Sequence, residues 1–98
     1  MPRVLFTAAA RADLNAALTW YETHAPEIAS QFRDALRAVV ARITENPLQF
    51  SPSSHQTRRA LLRRFPYIVI FREARDATYV VAVFHTSRDP RILGRRTS

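Results

Sequence analysis

The run Thr78-Tyr79-Val80-Val81-Ala82-Val83-Phe84-His85 decides the fold. Strand side chains alternate between two faces, and this run is apolar at positions of both parities, which predicts a central strand covered on both faces. Tyr67 to Glu73 and Arg58 to Arg64 show the same strand preference upstream of it. Ala74 to Ala77 is short and polar enough for a hairpin turn, and Pro66, which lacks an amide proton, marks the boundary between the two earlier strands. Short connections make these strands antiparallel neighbours. Leu48 to Thr57, with Pro52 and three Ser, reads as a polar connection into the sheet.

Further outward, the periodicity changes. Ala10, Leu14, Ala17, Leu18 and Tyr21 recur on one helical face, and Thr7 stands where an N-cap oxygen would accept from an orphan amide. This helix ends near His24. Pro26 suits the first turn of a second helix, with Glu27 beside its positive end and Ile28, Phe32, Ala35, Leu36, Val39 and Ile43 as its apolar stripe. Asn46-Pro47 stops it. The short link between the helices predicts an antiparallel hairpin, and Arg3 to Phe6 suits a first strand. The expected fold is α+β with element order β-α-α-β-β-β, a helical hairpin packed on one face of a small, mostly antiparallel sheet. Residues 1–98 are expected to form a single domain.

Charge is segregated along the chain. His55 to Ser98 carries ten Arg against three acids, while Met1 to Ser54 carries five of each, so the net charge of +7 belongs to the C-terminal half. Clustered cations raise the local concentration of anions, which points to an acidic partner, nucleic acid or polypeptide. All 15 basic residues are Arg. A GC-rich genome would account for Arg over Lys, but not for the segregation. Without Lys there is no Schiff-base nucleophile.

Other chemistry is excluded more directly. A single Gly cannot build a phosphate-cradling loop or a dinucleotide fingerprint. With no Cys there is neither a disulfide nor a thiol nucleophile. His24, His55 and His85 lie in separate segments without metal-ligand spacing, and no Ser sits on a Gly-flanked elbow. No metal and no cofactor are therefore expected. The N-terminus lacks the apolar run of a signal peptide or a membrane span, so the expected location is the cytoplasm, with no membrane partner.

What remains is Arg58-Arg59-Ala60-Leu61-Leu62-Arg63-Arg64-Phe65-Pro66-Tyr67 and, after the last strand, His85-Thr86-Ser87-Arg88-Asp89-Pro90. Alternation puts cations on both faces of the first stretch. That pattern suits either a solvated edge strand guarded by charge or a binding surface. Arg58, Arg59, Arg63, Arg64, Tyr67, Arg88 and Arg91 are the candidate partner-binding residues. Tyr67 and His85 each have a packing role as the alternative.

The order Ala12-Asp13-Leu14, Ala17-Leu18, Trp20-Tyr21, Phe32, Ile43 to Asn46-Pro47, Arg59, Phe65-Pro66-Tyr67, Val83-Phe84-His85 and Arg88-Asp89-Pro90 resembles the RelE/ParE toxin superfamily of type II, plasmid-stabilisation toxin–antitoxin systems. The resemblance implies an antitoxin encoded in the same operon; an acidic and apolar segment of it would lie between the hairpin and the sheet and neutralise the Arg cluster, Arg59 and Arg63 included. RelE-like members are ribosome-dependent mRNA endoribonucleases that need no metal. By position, Arg59 and Arg88 match two of that branch's basic sites, and as a ribonuclease the chain would hold phosphate with Arg59, Arg64 and Arg88 and handle a proton with His85. Yet Leu61 and Ile68 stand where that branch carries basic residues, and no Tyr follows Tyr79. ParE-like members bind DNA gyrase and need a surface instead of a catalytic group, and the Trp20-Tyr21, Phe65-Pro66-Tyr67 and His85 to Pro90 motifs look more like theirs. The resemblance thus implies a gyrase-inhibiting toxin, with the ribonuclease as the alternative.

Overall fold

A computed structural model describes residues 3–87. Its elements are β1 (Val4–Phe6), α1 (Ala8–His24), α2 (Pro26–Glu45), β2 (Ser51–Pro52), β3 (Arg58–Leu61), β4 (Tyr67–Glu73) and β5 (Thr78–His85). The five strands form one sheet in the order β1-β5-β4-β3-β2. Only the β1–β5 pair is parallel. This is the expected α+β arrangement with one added strand, the two-residue β2.

The helices form for the reasons their sequences supply. Thr7 Oγ1 accepts from the Ala10 amide at 3.1 Å and caps α1, while Pro26 opens α2. Asn46 ends α2 and its side chain accepts from the Leu48 amide at 3.2 Å, which starts a short 3-10 turn over Pro47–Gln49. Ala10, Ala17 and Tyr21 of α1 and Ala29, Phe32, Leu36, Val39 and Ile43 of α2 are buried. They pack against Ala60, Tyr67, Val69, Phe71, Val80 and Val83 on the near face of the sheet.

β5 holds the sheet together, with β1 on one side and β4 on the other. Its register against β4 slips between Ile70 and Phe71: Phe71 pairs with Val80 and Ile70 with Ala82, leaving Val81 as a bulge. The slip resets the alternation. Val80 and Val83 both join the helix-side core, and Ala82 and Phe84 join Ile70 in a second cluster on the far face. β1 pairs only with Thr78 to Val80, so β5 runs on past its end. There the Asp13 carboxylate of α1 accepts from the Val83 amide at 3.0 Å, taking the place of the missing strand.

Two sequence expectations need correction. The strand expected over Arg58 to Arg64 ends at Leu61. Arg64 adopts φ 70° in the turn that follows, and the Leu62 amide donates to the Tyr67 carbonyl at 3.0 Å to close it. The connection Leu48 to Thr57 is also more structured than its composition suggests. Ser54-His55-Gln56-Thr57 is a tight turn with φ of 58° and 59° at His55 and Gln56, and it folds β2 back onto β3. Among the described residues, no helix is long and apolar enough to cross a membrane.

Candidate functional site

The basic residues of the C-terminal half divide into tied and free cations. Arg58 is tied: its Nη1 donates to the Phe50 carbonyl at 2.8 Å and its Nε lies 3.6 Å from Glu73 Oε1. This pins the Pro47–Pro52 segment to the sheet, so Arg58, a partner-binding candidate from sequence, serves as a structural tie in this fold. Arg72 lies over the Tyr79 ring at 5.9 Å. Arg59, Arg63 and Arg64 are exposed. They are absent from the ion pairs among the described residues, which are Arg33–Glu22, Arg37–Asp34 and Arg58–Glu73.

Pairing fixes which way these residues face. Arg59 is opposite Ile70 and Leu61 opposite Ile68, and both partners belong to the far-face cluster. Arg59 therefore projects away from the helices. Tyr67 faces the other way, is 5% exposed, and packs its ring against Tyr21 and Phe32, which also hold Phe65. Its place in the core fits the packing role read from the sequence beside the contact one. His85 pairs with Tyr67 and meets its ring edge-on at 5.1 Å, so it lies on the helix side of the sheet. The Ser87 amide donates to His85 Nδ1 at 3.1 Å, which leaves Nε2 to carry the proton of the neutral ring. Arg88 and Arg91 lie outside the described residues.

The lining residues of two surface features were not anticipated. One is a groove of about 390 Å³ between the helical hairpin and β1, lined by Phe6, Leu14, Leu36 and Val40 together with Arg11 and Arg37. The helix periodicity gave the apolar stripes; that α1 and β1 together fail to cover Leu14 and Val40, which stay half-buried, is a fact of packing. The other is a notch of about 390 Å³ at the opposite edge of the sheet, lined by Gln49, Phe50, Ser51, Arg59, Leu61 and Ile68. Leu61 is 61% exposed there, and nearby in sequence Leu48 is 65% exposed. No group of three or more metal-ligating side chains occurs among the described residues. The arrangement is one of surfaces: an apolar groove with cations beside it at one edge, and free cations around exposed leucines at the other.

The family model for the ParE toxin of the type II toxin–antitoxin system parDE matches residues 4–90. The chain belongs to the ParE toxin family. A solved structure described as the chromosomal ParDE toxin–antitoxin system from P. aeruginosa superimposes with a TM-score of 0.76. It is 22% identical, and the match covers 89% of this chain and 98% of that one. At that identity the likeness speaks for the fold alone. No curated protein matches. The ParE match spans both the groove and the notch, as well as Asp13, whose bond to Val83 gives the Ala12-Asp13-Leu14 motif a structural role.

Proposed function

We propose that this ParE-family chain is a cytoplasmic toxin that acts by binding DNA gyrase and is neutralised by an antitoxin from the same operon. The match to the ParE toxin model over residues 4–90 is the observation that carries this reading. The placement of Arg59 and His85 favours a binding toxin over a nuclease built on that pair. Ribonuclease chemistry needs a cation on the phosphate and a proton carrier within reach of the same reacting group. Arg59 and His85 stand on opposite faces of the sheet.

The antitoxin reading draws on the groove between the hairpin and β1. An amphipathic segment would place apolar side chains against Phe6, Leu14, Leu36 and Val40 and acids toward Arg11 and Arg37. Arg11 is exposed and has no ion pair with a described residue, and the Arg37–Asp34 pair at 3.1 Å is open to solvent, so either cation is available at little cost. Inducing the protein without its antitoxin is expected to arrest growth with an SOS response and no new transcript 5′ ends by primer extension. Co-expressing the adjacent reading frame restores growth. New 5′ ends within translated messages would instead establish the ribonuclease.

A further inference from the structure

We infer that the notch beside β3 receives an extended, acidic and apolar segment of the toxin's protein target; the inference rests on the binding-toxin reading and locates its target surface. The backbone supplies the first reason. β2 pairs only with Arg58 and Arg59, and the preceding chain turns away through the 3-10 turn at Pro47–Gln49. The Leu62 amide donates toward β4, so by strand alternation the N–H and C=O of Leu61 point the opposite way, into the notch. No described backbone group meets them. An open strand edge of this kind accepts an added strand.

The side chains select the occupant. Leu61, 61% exposed at the end of β3, one row on from Arg59 and followed by Arg63 and Arg64 in the turn, offers apolar contact that a nucleic-acid backbone has no use for. Arg59, Arg63 and Arg64 are free of ion pairs with described residues and favour carboxylates. A second copy of this chain would bring the same three cations against each other, and like charges at close range oppose such pairing. An acidic protein segment carrying an apolar side chain satisfies backbone, leucine and cations together. The notch and the hairpin groove lie at opposite ends of the strand order, so target and antitoxin are bound by different residues.

The test compares wild type with Leu61→Asp and with Arg59→Glu plus Arg63→Glu, all exposed positions, each checked for native circular dichroism. Leu61→Ser and Arg59→Gln replace any variant that fails to fold. Affinity for purified gyrase is expected to fall about tenfold or more, with calorimetric affinity for the antitoxin essentially unchanged. Unchanged gyrase affinity, or a parallel loss of antitoxin binding, would overturn the assignment. So would a Leu61-dependent dimer of the free toxin, or DNA retention that accounts for the whole effect. If wild type does not bind gyrase, the gyrase reading fails by itself and growth arrest becomes the readout. Arrest abolished by Leu61→Asp with antitoxin binding kept then supports the notch for another protein target, and arrest retained removes it. A wild type that never arrests growth removes both.

Discussion

Asp13 shows how one side chain completes a sheet. β1 stops opposite Val80, and beyond it the Val83 amide would be buried without an acceptor were the Asp13 carboxylate not 3.0 Å away. Asp13→Ala is expected to cost about 1–3 kcal/mol, because it leaves a buried donor unsatisfied. Asp13→Asn keeps a carbonyl acceptor and should recover most of the loss. Equal losses in urea unfolding of the two variants would refute the role. A second side-chain pair responds to pH. The Tyr79 hydroxyl donates to Asp76 Oδ2 at 2.9 Å, and this bond, aided by backbone donors, holds the Asp76 carboxyl below its ordinary value and raises the Tyr79 phenol. The depressed carboxyl contributes above its unfolded value of about 3.9 and loses that contribution as pH falls through the folded one. The raised phenol contributes below about 10 and loses it as pH rises through its folded value. In an NMR titration, Tyr79→Phe should move the Asp76 midpoint upward; an unchanged midpoint would mean that the bond is not formed in solution.

Among the elements, the β2–β3 hairpin departs furthest from what its residues prefer. His55 and Gln56 both take positive φ, a conformation that Asn-Gly adopts freely and that costs other L-residues about 1–2 kcal/mol each. Gln56→Gly should therefore raise stability by up to about 1 kcal/mol after the added entropy of the unfolded glycine is counted, measured as an increased urea midpoint at constant slope. A lower midpoint would contradict the turn. The same hairpin explains the limits of the sequence reading. Both helices were legible because their buried residues keep a 3.6-residue period and their ends carry Thr7, Pro26 and Asn46-Pro47. β2 was not, since a two-residue strand that includes Pro52 has no period and its turn lacks Gly or Asn. β5 was recognised as a strand but not as a bulged one. Val81 interrupts its alternation, so its faces had no readable parity.

At the scale of the whole molecule, charge segregation was visible in the chain, but the use of each cation was not. Arg58 and Arg59 are neighbours in sequence; one is tied to Phe50 and Glu73, while the other points outward from the far face. That division depends on which strand face each residue occupies, and on a loop whose path was not readable. That Arg11 and Arg37 flank the groove of the hairpin was also hidden, since their half of the chain is neutral overall. Arg11→Glu with Arg37→Glu is expected to weaken antitoxin binding about tenfold or more by placing like charges against an acidic segment. Unchanged calorimetric affinity would move the antitoxin elsewhere. The α+β scaffold matched to ParE leaves these two surfaces at opposite sheet edges, and the proposed toxicity requires one of them to engage gyrase. The most direct measurement is plasmid supercoiling by purified gyrase with increasing amounts of the purified protein, with and without antitoxin. Loss of supercoiling with accumulation of cleaved plasmid, reversed by antitoxin, is the predicted result; full supercoiling at a large excess of folded protein would contradict it.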